Sequence, residues 1–215
     1  MPYKIIREWE EGQKGPLLTR IGGIFARQSP MKEKIALSIH RLKIQSNRLE
    51  SSAIRLMQRD KEFFAKVVQA QMQKDFARAT MYANECAEIR KIAKILLTSQ
   101  IALERTSIRL ETIQEFGDFL YHMTPVIGVV SIMRDQLEGI VPEISRELAW
   151  VNESLEEIVL EAGGVLEGTT PSGEPTEDAK KILEEAALLA DQKLREKFPE
   201  LPSLGSGEGA RGRTA

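Results

Sequence analysis

From Met31 to Ala70 the chain runs without a glycine or proline, and Ile35, Leu42, Leu49, Leu56 and Phe63 recur at every seventh position. Ile39, Ser46, Ala53 and Val67 stand four residues beyond members of that series. Such spacing draws a narrow apolar stripe along one side of an α-helix. A stripe this thin buries too little surface to hold a helix alone, so it calls for a partner helix. A second stripe supplies one: Tyr82, Ile89, Leu96, Leu103 and Leu110, with Ile92, Ser99, Thr106, Ile113 and Leu120. The spacing predicts helices over 31–70 and 75–122, joined by a tight turn at 70–74 into an antiparallel hairpin. Its arms measure roughly 60 and 70 Å at the helical rise per residue. Alanine, serine and threonine in the stripes allow close backbone approach and hold any one register weakly.

The flanking segments read differently. Residues 1–29 are broken by Pro2, Gly12, Gly15, Pro16, Gly22 and Gly23, and Ser29-Pro30 has the N-cap and first-position pattern of a helix start. Pro125 and Pro142 divide the stretch after the hairpin into shorter helices near 126–139 and 143–162, and Gly163-Gly164 ends the second. Residues 164–176 have the composition of a flexible linker. A last amphipathic helix, 177–198, carries Leu183, Ala187, Ala190, Leu194 and Phe198 on one face and stops at Pro199. Residues 203–215 have the composition of a disordered tail. The expected fold class is all-α: a long antiparallel helical hairpin, shorter helices, and a tethered C-terminal amphipathic helix.

Several chemistries have no residues to carry them. The sequence holds no phosphate-cradling glycine loop, no dinucleotide turn, no HExxH and no paired-cysteine metal pattern. His40 and His122 lie on different helices without ligand spacing, and the lone Cys86 reads as a small seam residue. The chain is expected not to be an enzyme and to need no cofactor or metal. One cysteine suits a reducing cytosol, and no apolar run approaches the roughly 18 residues of a membrane span. The N-terminus lacks the layout of a signal peptide, so the expected protein is cytoplasmic, neither secreted nor spanning.

Charge is divided along the chain. Residues 1–111 hold 21 Lys and Arg against 12 Asp and Glu, and residues 112–215 hold 9 against 20. A basic half that meets an anionic surface, with an acidic half competing for it, fits this split; two merely solvated faces also fit it. The basic half concentrates its charge in a column. Lys34, Arg41, Arg48 and Arg55 repeat every seven residues beside Arg59 and Lys66, a strip over roughly 48 Å of helix. Anionic lipid and nucleic-acid phosphate would both be attracted to it. The scarcity of aromatic side chains for base stacking weighs against single-stranded nucleic acid. An ordinary solvated helix face is the remaining reading.

Two more constellations stand out. Leu17, Leu18, Ile21, Ile24 and Phe25 fall on one helical face beside Lys14, Arg20 and Arg27, as in a segment that dips into a headgroup layer. Folding back on the hairpin would serve those side chains equally well. The final helix, set beyond a linker, is either a partner-binding element or a helix docked on its own hairpin. Tyr3, Ile5, Ile6 and Trp9 form an apolar cluster to which the residues assign no purpose.

This organisation resembles the ESCRT-III proteins, and among them the archaeal cell-division members, the Cdv system. The likeness spans most of residues 30–200. It rests most on VVQAQMQKDFARATMYANECAEIRKI, LLTSQIALERTSIRLETI and LEEAALLADQKLREKFPELP. The resemblance implies polymers that remodel and cut membrane during cell division, formed with copies of itself and with ESCRT-III-like paralogues. It also implies disassembly by an AAA ATPase whose MIT domain grips a C-terminal motif. Asp191, Leu194, Lys197, Phe198 and Leu201 stand at that motif's steps, with Lys for Arg, Phe for Leu, and Pro199 ahead of Leu201. Phe198 to Pro202 also suits the extended, proline-containing mode. No winged-helix segment follows, as in a paralogue without that extension.

The expected division is therefore a membrane-contact segment at 1–29, an ESCRT-III-like core at 30–163, a linker at 164–176, an ATPase-binding helix at 177–202 and a tail at 203–215. The expected partners are anionic lipid, the chain itself, its paralogues and the ATPase, but not nucleic acid. The expected place is the inner face of the cell membrane at the division site. A phage-shock-type coat protein that protects membrane, or a nucleic-acid-binding coiled-coil protein, are the alternatives.

Overall fold

Both apolar stripes turn inward. Ile35, Leu42, Leu49, Ala53 and Val67 of the first are buried, as are Ile89, Leu96, Leu103 and Leu110 of the second, with Ser46, Ser99 and Thr106 packed among them. They join α1 (Leu17–Met72) to α2 (Phe76–Phe116). The cross-helix bonds Lys32 to Gln114, Ser46 to Gln100 and Asp60 to Arg90 set an antiparallel register. At the helical rise, the 56 residues of α1 reach about 84 Å and the 41 of α2 about 62 Å. The computed structural model describes residues 17–116, 119–163 and 175–200, and the side chains of 31–115, 122–163 and 175–200.

The turn between the arms lacks the usual glycine. Lys74 takes the left-handed conformation, φ 59°. Its N–H donates to the Gln71 carbonyl at 2.9 Å, and the Asp75 N–H reaches back to the Ala70 carbonyl at 2.9 Å. These two bonds form the Schellman pattern that satisfies the last carbonyls of a helix. Asp75 then opens α2, its carboxylate accepting from the Arg78 N–H at 3.1 Å. A residue that both follows a helix end and caps the next start allows so short a reversal.

Three shorter helices close over the hairpin's open end: α3 (Phe119–Leu137), α4 (Pro142–Glu161) and α5 (Glu177–Lys197). Met123, Val126, Val130 and Met133 of α3, with Leu148, Val151, Leu155 and Ile158 of α4, merge with the hairpin stripe into one core. α5 adds Ala179, Ile182, Ala186 and Ala190 and lies against α2 and α3. Among the described residues there is no strand.

Three expected boundaries shift. α1 begins at Leu17, so Ser29-Pro30 lies inside the helix rather than at its start. The apolar spacing from Leu17 to Phe25 is itself helical, and one internal proline removes a single ladder bond. The second arm is described as far as Phe116, and the next described helix takes up at Phe119, short of the expected end at His122. Gly117 and Asp118 lie outside the described residues. α3 starts before Pro125 and carries it within the helix. Most of the expected linker, the expected tail and the Tyr3, Ile5, Ile6 and Trp9 cluster lie outside the described residues.

Candidate functional site

The basic column of α1 is divided in two by α4. On α4, Glu147, Trp150, Glu157 and Glu161 share one edge by helical spacing, next to the buried face of Ile144, Leu148, Val151, Leu155 and Ile158. Burying that apolar face brings the acidic edge down on the start of the column. Lys34 Nζ lies 2.8 Å from Glu161 Oε1 and 3.2 Å from Glu157 Oε2. The hydrogen bond to Glu161 raises the Lys34 pKa above its ordinary value against some desolvation, with Glu157 adding to the rise. The Arg41 guanidinium donates to Glu147 Oε2 at 3.0 Å and stacks 3.7 Å from the centre of the Trp150 ring.

Farther along α1 the column faces outward. Arg48 donates to Gln45 Oε1 at 3.4 Å and Arg55 to Ser52 Oγ at 2.8 Å, both within their own helix. The two arginines line a shallow cleft of about 740 Å³ whose other wall is Val141, Glu143 and Ile144. Arg59 lies 5.9 Å from the Phe63 ring centre, and Lys66 4.9 Å from Phe63 and 5.8 Å from Tyr82. These four cations are exposed and make no ion pair among the described residues.

The C-terminal helix lies docked along α2. Asp191 pairs with Lys94 at 2.6 Å, and Glu185 pairs with Arg105. Leu194 packs on the core, Lys197 is exposed, and Phe198 is 7% exposed. The Phe198 ring centre lies 5.4 Å from the Arg90 guanidinium, which is itself held by two bonds to the buried Asp60 carboxylate, 2.8 and 2.9 Å. Asp191, Leu194 and Phe198 thus all contact the parent hairpin or its core. Leu201 and Pro202 lie outside the described residues. Leu17, Leu18, Ile21, Ile24 and Phe25 fall on the α1 backbone, and their side-chain surroundings lie outside the described residues.

The column is readable from spacing, and the terminal motif from the resemblance to the ESCRT-III proteins. The cover formed by Glu147, Trp150, Glu157 and Glu161 is not, although its acidity and helical spacing were there to be seen. The Asp60–Arg90 pair has no sequence signal, since charges 30 residues apart on two helices meet only once the register is set. No group of three His, Cys, Asp or Glu side chains placed to hold a metal occurs among the described residues.

The chain is 46% identical over 178 residues to cell division protein B1 of Sulfolobus acidocaldarius, a match covering 83% of each protein. It is 39% identical over 162 residues to cell division protein B of the same organism, across 75% of this chain and 62% of that protein. Cell division protein B3 is 26% identical over 117 residues, 54% of this chain and 68% of that one. No protein-family model matches the chain. No solved structure matches it significantly.

Proposed function

Because the chain belongs to the cell division protein B family, the archaeal Cdv branch of ESCRT-III, we propose that it polymerises on anionic membrane and helps remodel and cut it during cell division. The observation that carries this reading is the division of the α1 column. Four exposed cations stand ready for an anionic surface, while Lys34 and Arg41 are held by carboxylates of the same chain. Ion pairs exposed in this way are screened by solvent and hold only weakly. Anionic lipid attracts the same cations, so lipid and α4 compete for Lys34 and Arg41. On this reading the α4 pairs restrain the chain, and lipid engagement frees the α4 edge to bridge neighbouring copies.

The docked α5 fits the same scheme, since it holds the segment proposed for the ATPase's MIT domain against the hairpin. Three relatives from one organism share the cell-division name, which supports assembly with paralogues. No described helix is long and apolar enough to cross a membrane, in keeping with peripheral attachment at the division site.

Vesicle co-sedimentation tests the reading. Arg48→Glu, Arg55→Glu and Arg59→Glu together should abolish binding to phosphatidylserine vesicles. Glu147→Gln, Glu157→Gln and Glu161→Gln together should strengthen binding and promote lipid-coating filaments in negative-stain micrographs. Unchanged sedimentation of the charge-reversed variant removes the lipid role of this strip.

A further inference from the structure

The exposed half of the basic column contains a gap. Between successive cations of the heptad series, the side chains three and four residues on fill the same face of the helix. After Lys34 these are Leu37 and Ser38, and after Arg41 they are Ile44 and Gln45. After Arg48 both are serine, Ser51 and Ser52. Two small side chains where longer ones stand elsewhere leave a notch between Arg48 and Arg55, whose backbones are about 10 Å apart along the helix. The corner between α3 and α4 lies across from it, which makes the notch part of the cleft of about 740 Å³.

The cleft is charged and polar on one side and apolar on the other. α1 lines it with Arg48, Arg55, Ser51 and Ser52, while the facing corner brings the half-buried Val141 and the buried Ile144. Glu143 is the one carboxylate among the described residues that line it. Both guanidiniums are held by neutral partners alone. The Arg48 bond to Gln45 Oε1, at 3.4 Å, is at the edge of hydrogen-bond range and reaches back to the preceding turn. Arg55 already leans into the notch, donating to Ser52 Oγ at 2.8 Å. An anion displaces such partners, because a charge-assisted bond is roughly twice as strong as a neutral one.

We propose that this notch seats the phosphate of a single lipid headgroup, so that the chain recognises phospholipid and not surface charge alone. Arg48 and Arg55 turn onto the phosphate oxygens from either end, and the guanidinium fork matches that geometry. Ser51 and Ser52 give the headgroup room to descend between them. Val141 and Ile144 then lie against the glycerol and the first methylenes of the lipid. Nucleic acid offers the same phosphate but no apolar chain for that wall, and a free phosphate leaves the wall in water. This inference rests on the membrane reading above and deepens it: the column attracts any anionic surface, and the notch selects one that carries phosphate.

The test uses the full chain. Phosphatidylcholine vesicles carrying either phosphatidylglycerol or oleate, an anion without a headgroup phosphate, are matched in surface potential. The unaltered chain should bind the phosphatidylglycerol vesicles about tenfold more tightly, the effect of one added bond to a charged group. Ser51→Gln with Ser52→Gln fills the notch without changing charge, and this variant should bind both vesicles alike. Helicity and melting temperature check its fold, and Ser51→Gln alone, at an exposed position, repeats the measurement if the pair unsettles the helix. Equal binding of the two vesicles by the unaltered chain, or a preference that survives in the glutamine variants, overturns this inference and leaves the column reading standing. No binding to either vesicle overturns both. Release from the vesicles by an equal concentration of glycerol phosphate would make free phosphate the ligand. Retention of duplex DNA that the glutamine variant loses would make it nucleic acid, and either result overturns the inference.

Discussion

At the scale of single residues, one of the bonds that set the hairpin's register is a buried ion pair with a thiol beside it. Cys86 Sγ lies 3.8 Å from the Asp60 carbonyl, and Asp60 is fully buried with both carboxylate oxygens on Arg90. Burial first, and the Asp60 carboxylate after it, push the Cys86 pKa from 9.0 up to about 11, while Arg90 pulls the other way. The folded chain therefore keeps this proton where the unfolded chain has released it. The thiol's contribution is complete below pH 9.0 and disappears as pH rises through about 11. Thermal denaturation should show stability falling across that interval, with a shallower fall in Cys86→Ala. Iodoacetamide should also label the native thiol slowly at neutral pH, because only the thiolate attacks. An identical pH slope in Cys86→Ala would assign the loss to other groups.

At the scale of elements, α4 and α5 are held differently although both cover the hairpin. α4 sets a broad apolar face into the main core and adds its acidic edge to Lys34 and Arg41. α5 docks through small residues, Ala179, Ala186 and Ala190, with Ile182 and the terminal Phe198. Small side chains bury little area, so α5 is the weaker attachment. Ala186→Asp places an unpaired carboxylate in that seam at a cost of about 2–4 kcal/mol, enough to release α5. Trypsin should then cut within 177–197 much faster, while α1 and α2 stay resistant. Leu188→Asp, at a position 70% exposed on the same helix, should leave the cleavage rate unchanged. Equal rates in the two variants would mean that α5 is not held by this face.

At the scale of the whole molecule, one large core and one small one share the long hairpin. The main core draws on all five described helices, whereas the cluster at the hairpin's tip has three buried residues from two of them. Local opening needs least energy where fewest apolar contacts are lost, so the tip should open before the rest. Amide hydrogen exchange should show weaker protection around 63–83 than at 96–110 and 126–133. Protection at the tip equal to that of the main core would mean that the hairpin opens only as a unit.

The long arms, their antiparallel pairing, the cationic column and the acidic second half all follow from heptad spacing and from charge counted along the chain. Each of these is a property of residues near one another in sequence, and helical periodicity turns such neighbours into faces. The fate of those faces was another matter. Lys34 and Arg41 look identical to Arg48 and Arg55 in the heptad pattern, yet α4 pairs the first two and leaves the second two exposed. Likewise the sequence leaves the helix that carries Phe198 either partner-binding or docked, and Phe198 is buried against Arg90. Which of several equivalent cations is covered, and whether an amphipathic helix is free or docked, depends on contacts between segments up to 127 residues apart. Local spacing carries no record of such meetings; the packing of the core decides them.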